Sequence, residues 1–177
     1  REDGRITNVP YESSKPVYTF WDLGFGDSTA IWFVQMVAGQ YRVIDYLEDN
    51  RKAIDFYVRQ IQSRPYVYER HFLPHDGNHA NLATGKTMRE IVEGYGLKVE
   101  ITPQIGIDNG INATRMAMAN CWIDEQKCKE GIKALEYYHY EQDKNGNNKN
   151  TPAHDWSSHG CDAFRYMAVA FKESVKH

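Results

Sequence analysis

The stretch that most constrains this chain is Val17-Tyr-Thr-Phe-Trp-Asp-Leu-Gly-Phe-Gly-Asp-Ser-Thr-Ala30, an apolar run that ends on a carboxylate and turns through two glycines. Apart from Asp22, the residues from Val17 to Leu23 are β-branched, aromatic or aliphatic, which reads as a strand buried on both faces. A carboxylate in such a strand must be paired, hydrogen-bonded or placed on a cation, because burying the bare charge is strongly unfavourable. Gly24 and Gly26 permit a tight reversal, and Asp27 opens a second strand, Thr29 to Val37. Two aspartates therefore fall at one sheet edge. Taken alone, Asp27 needs only a turn-capping role and Asp22 only an arginine, so a site here depends on further carboxylates converging from elsewhere.

Residues 1–16 are polar, hold two prolines and show no period, and are expected to be an arm or linker from a preceding domain; residues 17–177 read as one domain. A third strand, Gln40 to Glu48, follows the hairpin signal Ala38-Gly39. Asn50 is expected to cap a helix reaching about Gln62, with Ile54, Val58 and Ile61 inward and Asp55 and Arg59 as an exposed pair. Tyr66 to Pro74 reads as a fourth strand, which places Asp76 just past its end. A helix from Gly85 to Tyr95 presents Met88, Ile91 and Val92 inward and precedes a fifth strand, Leu97 to Thr102.

Helical patterning resumes through Ile111, Met116, Met118 and Trp122, and again from Gln126 to Tyr138. Cys121 and Cys128 then share one helical face as small core residues. Glu141 to Ala153 is a polar, turn-forming loop. The last helix, His154 to Lys172, buries Phe164, Met167, Ala168 and Phe171, and aligns Asp155, Ser158, His159 and Asp162 on one polar stripe. That stripe holds no Lys, Arg or Glu, so it is expected to face a site rather than solvent.

Composition narrows the function. A net charge of −3 supplies no general attraction for a polyanion, so any nucleic acid must be gripped locally or delivered by another domain. Three cysteines without a C-x-x-C spacing argue against both a disulfide framework and a thiolate zinc site. Gly85-Lys86-Thr87 is not a phosphate-binding P-loop, because Ala80 stands where that loop needs glycine. No apolar run reaches the length of a membrane span and no signal-peptide pattern opens the chain, so no membrane partner is expected. Arg1 is not an initiator methionine, and the chain reads as a fragment.

The order of elements is that of the ribonuclease H-like α/β fold: a central five-stranded mixed sheet, its first three strands antiparallel, flanked by helices. In that fold, carboxylates stand at the end of strand one, past strand four and on the final helix, the places of Asp22, Asp76 and Asp162. Three adjacent carboxylates raise one another's pKa and cannot all stay ionised without cations. Magnesium or manganese suits such an oxygen donor set. Two such ions about 3.5–4 Å apart can activate water and stabilise the leaving oxygen of a phosphodiester.

Three segments, Phe20-Trp-Asp-Leu-Gly-Phe-Gly-Asp-Ser-Thr-Ala30, Phe72-Leu-Pro-His-Asp-Gly77 and Ser158-His-Gly-Cys-Asp-Ala-Phe-Arg-Tyr166, together resemble the nuclease domain of the large terminase subunit of tailed bacteriophages. The resemblance runs from about Val9 to Phe171. It implies an endodeoxyribonuclease that cuts concatemeric viral DNA during genome packaging in the cytoplasm of an infected bacterium. It also implies an ATPase motor domain in the same full-length chain, and double-stranded DNA, the portal and the small terminase subunit as partners. By motif, Asp22, Asp76 and Asp162 become the metal ligands, Asp27 an accessory aspartate, and His159, with Asp155 on its stripe, a residue that orients a ligand or moves a proton. Lys144 and Lys149, in the loop leading to Asp162, are the DNA-contact candidates, with Lys127, Lys129 and Lys133 as substitutes.

Two other readings stay open. His71, His75 and His79 recur every fourth residue, with His154 and His159 later, and suggest a zinc hydrolase, although Pro74 and Gly77 interrupt any helix that would align them. Alternatively, the same fold serves as a non-catalytic docking module for a portal or partner subunit.

Overall fold

In the computed structural model, residues 5–23, 28–74, 87–102 and 120–134 are described. Their elements are β1 (Ile6–Thr7), β2 (Val17–Leu23), β3 (Thr29–Val37), β4 (Gln40–Asp49), α1 (Ile54–Ser63), β5 (Tyr68–Leu73), α2 (Met88–Gly94), β6 (Val99–Ile101) and β7 (Cys121–Asp124). The β3–β4 hairpin turns on Ala38 and Gly39, with φ of 52° and 76°. Two left-handed residues make the turn type whose twist matches that of paired strands. The β2–β3–β4 meander is antiparallel, as the sequence suggests.

These strands lie in a seven-stranded sheet ordered β1-β7-β4-β3-β2-β5-β6. Every neighbouring pair outside the meander is parallel. It follows that β3 alone runs against the other six, whose C-terminal ends share one edge. Asp22 sits at that edge.

The count of seven corrects the expected five. One added strand, β1, lies in the stretch expected to be an arm: Ile6 pairs with Ile123, Val9 is buried, and the Val9 amide donates to Asp124 Oδ1 at 2.8 Å. The other, β7, was expected to be helix. Cys121, Ile123 and Asp124 are buried in it, but four residues are too few to separate a strand from a helical turn by period. Cys121 and Cys128 therefore do not share a helical face, since only Cys121 is in the strand and Cys128 follows in a turn. Both are nonetheless buried core residues.

A second correction concerns the cap of α1. The helix begins at Ile54, with Ala53 at its N-cap and no side-chain cap. Arg51, at φ 55°, inserts a left-handed residue that separates Asn50 from the helix. The expected apolar stripe is present, with Val58 and Ile61 fully buried, and Asp55 and Arg59 pair at 3.6 Å. α2 is held by a capping box, in which Thr87 accepts from the Glu90 amide while the Glu90 side chain reaches back.

Each face of the sheet carries its own core. Val17, Trp21, Ile31, Phe33, Tyr57 and Leu73 belong to the cluster that includes α1 and α2. Phe20, Ala30, Trp32, Val34, Phe72 and Ile132 form the other, which the helical residues 129–134 cover. A Cβ on Gly131 would meet Trp32 Cη2 at 2.5 Å, so only glycine lets this backbone lie so close to the sheet. Below α1, Arg64 Nε donates to Asp45 Oδ2 at 2.9 Å and Tyr66 donates to the same oxygen at 3.0 Å, fastening the helix exit to β4.

Candidate metal centre

The floor of the candidate centre is aromatic. Phe20 of β2 and Phe72 of β5 are register partners across the parallel pair, and their rings stack at 4.7 Å with an interplanar angle of 1°. Asp22 follows Phe20 by two residues and so projects from the same face. It is 4% exposed, at the C-terminal end of a strand flanked on both sides.

Asp22 heads a row of side chains that crosses the sheet. Ala30 lies opposite it on β3, and Glu48 lies opposite Ala30 on β4. Only a methyl group stands between the two carboxylate positions. Glu48 accepts from the Tyr46 hydroxyl at 2.8 Å, which orients it on this face. In the other direction the row continues past β5. Leu73 pairs with Ile101, and the Thr102 amide donates to the Leu73 carbonyl at 2.7 Å, so Thr102 stands beside Pro74 on the face of Asp22. Pro74 is buried and Thr102 is 1% exposed. Among the described residues the Thr102 hydroxyl has no hydrogen-bond partner.

Of the residues expected to act, Asp22 is the one that the described residues contain. Asp27, Asp76, Asp155, His159, Asp162, Lys144 and Lys149 lie outside them. β5 ends at Leu73, three residues before Asp76, at the edge that holds Asp22. Sequence reasoning did not assign Glu48 or Thr102, whose places depend on strand register. Among the substitute lysines, Lys127 points its amine at Tyr66, 3.5 Å from the hydroxyl and 5.9 Å from the ring centroid. Lys133 pairs with Glu130 at 3.6 Å.

His71 is on the other face. It pairs with Thr19, and its Nδ1 lies 2.6 Å from Thr19 Oγ1, while Trp21 Nε1 donates to that same oxygen at 2.9 Å. Indole N–H only donates, so Thr19 Oγ1 accepts from Trp21, and the tautomer of His71 sets which of Oγ1 and Nδ1 donates in their bond. Burial lowers the His71 pKa to about 4 and keeps the ring neutral. The first of the spaced histidines in the zinc reading is therefore a core residue turned away from Asp22. Asp124 is likewise occupied: its carboxylate accepts from the amides of Val9, Gln126 and Lys127. Among the described residues no group of three or more His, Cys, Asp or Glu side chains is placed to hold a metal.

No family model and no curated protein match the chain. Solved structures do. The chain is similar to the nuclease domain of the bacteriophage P22 large terminase, at 14% identity and a TM-score of 0.72 over 95% of this chain and 88% of that one. It is also similar to the large terminase nuclease domain of bacteriophage SPP1, solved with bound Mn, at 19% identity and a TM-score of 0.64 over 90% and 86%. A large terminase from a thermophilic bacteriophage aligns at 12% identity and a TM-score of 0.72, covering 97% of this chain. The chain has the fold of a large-terminase nuclease domain. It spans 44% of the length of that thermophilic phage terminase. Within the terminase nuclease fold, Asp22 and Thr102 stand at the C-terminal edge of the parallel strands, where open α/β sheets bind their ligands.

Proposed function

We propose that the chain is a divalent-metal-dependent endodeoxyribonuclease, the nuclease part of a large terminase subunit that cuts concatemeric viral DNA during packaging. The observation that carries this reading is Asp22, a carboxylate 4% exposed at the C-terminal end of a central strand, with β5 parallel beside it. The fold shared with terminase nuclease domains supports it, as does the Mn in the SPP1 structure.

Asp22 fits a hard cation, since it offers an anionic oxygen at the buried end of a central strand, the donor type such ions prefer. Asp76 and Asp162 are the proposed further ligands, with Asp27, Asp155 and His159 as accessories, and the ions are two Mg2+ or Mn2+. When bound, such a pair supplies a nucleophile at neutral pH and charge for the leaving oxygen. The chain's own residues orient the substrate and hold the carboxylates. The stacked Phe20 and Phe72 rings fix the floor, and the Trp21–Thr19–His71 bonds lock β2 to β5 from the opposite face. Double-stranded DNA is the proposed substrate. The ATPase motor of the same full-length chain, the portal and the small terminase subunit are the proposed partners, in the cytoplasm of an infected bacterium.

The test is cleavage of supercoiled plasmid with manganese, magnesium or EDTA. Asp22→Asn, Asp76→Asn and Asp162→Asn should each lower cleavage at least a hundredfold and leave the fold intact, whereas Asp27→Asn should be milder. Full activity in any of the three removes that residue from the set. Cleavage that needs zinc instead returns the histidine reading.

A further inference from the structure

The row at the C-terminal edge contains a polar atom that the described residues do not use. Thr102 is 1% exposed, and its hydroxyl has no hydrogen-bond partner among the described residues. A buried hydroxyl without a partner is unfavourable, and valine has the same shape without that cost. Its amide, by contrast, is committed, because it extends the β5–β6 ladder to the Leu73 carbonyl. The backbone therefore holds the side chain on the face of Asp22, with Pro74 between them.

Pro74 has no polar side chain to fill that interval. Two strand spacings, about 10 Å between backbones, are too wide for a direct Asp22–Thr102 hydrogen bond. That span is about the length of a carboxylate, a small cation, one water of its hydration shell and a hydroxyl in succession. Magnesium and manganese keep several waters when few protein ligands reach them. Groups that bond the ligands of a metal from outside commonly set its affinity.

We propose that Thr102 is a positioning residue of the metal centre: its hydroxyl bonds a water in the hydration shell of the cation held by Asp22. This rests on the nuclease reading above and adds to it a residue on the side of β5 away from the hairpin. Glu48 flanks the row at its other end but already has the Tyr46 hydroxyl, so it offers no comparable orphan.

Three proteins decide it: wild type, Thr102→Val and Thr102→Ser. Without metal, Thr102→Val should melt at or above the wild-type temperature, because it deletes an unsatisfied group. With manganese, its rise in melting temperature should be clearly smaller than that of wild type, and plasmid cleavage should fall about five- to tenfold. Serine keeps the hydroxyl and should restore both readouts. A valine variant with the full manganese shift and full cleavage overturns the proposal while leaving the nuclease reading standing. A valine variant that melts lower without metal overturns it too, since the hydroxyl then serves the fold. If wild type neither cleaves nor shifts with manganese or magnesium, both readings fall.

Discussion

His71 shows what a single buried ring contributes. Its Nδ1 lies 2.6 Å from Thr19 Oγ1 inside the core, and burial lowers its pKa to about 4 from 6.5 in the unfolded chain. The depressed pKa sets the sign. Above pH 6.5 both states are neutral and the native bonds are intact; below it the unfolded chain binds a proton that the native one refuses. Stability should therefore decline between pH 6.5 and 4, by up to about 3 kcal/mol. His71→Asn loses the ring at neutral pH but does not carry this proton linkage. Urea unfolding should find the gap between wild type and variant narrowing as pH falls to 4.5; a constant gap would assign the acid sensitivity elsewhere. The thiols are a contrast: burial pushes Cys121 up to about 12 and Cys128 well above its usual value, so neither is a nucleophile in the native state.

At the scale of elements, what could be read depended on length and register. β2 and the stripe of α1 were legible because their patterns persist over seven and ten residues. β1, with two residues, has no period to detect. Glu48 is more instructive. Counting back from the Ala38-Gly39 turn, Val34 faces Val43 as expected, and the same count would set Ala30 against Leu47. A bulge between Phe33 and Val34 shifts the pairing, and Ala30 meets Glu48 instead. One extra residue thus moves a carboxylate onto the face of Asp22, and no local pattern announces it. Thr102 was read as a strand end, but its unpartnered hydroxyl is a tertiary fact. The 129–134 helix yields a direct test. Gly131→Ala would force a methyl against Trp32 and Tyr46, and although alanine favours helix, overpacking should win and cost about 1–2 kcal/mol in urea unfolding. A stabilised variant would show that the helix can simply ride outward.

For the molecule as a whole, charge and topology set different limits. A chain of net charge −3 that binds DNA must do so through few phosphate contacts, so the salt dependence of binding should be shallow. Lys144→Ala with Lys149→Ala should weaken cleavage at moderate salt and leave sequence preference and metal dependence unchanged. Equal cleavage across a salt series would exclude these two lysines. Lys127, Lys129 and Lys133 would then be the next candidates.

The place of β1 has a kinetic consequence. The meander assembles from near neighbours, but among the described residues β1 pairs only with β7, and the Val9 amide reaches a carboxylate 115 residues along the chain. β1, which precedes the meander in sequence, therefore has no docking surface until β7 has joined β4. Long loop closures of this kind come late in folding and open early in the native state. Native-state hydrogen exchange should show the amides of Ile123 and Glu125, which bond to the Arg5 and Thr7 carbonyls, opening at lower free energy than those of the β2–β3 pair. Equal protection would mean that the sheet closes in a single cooperative step.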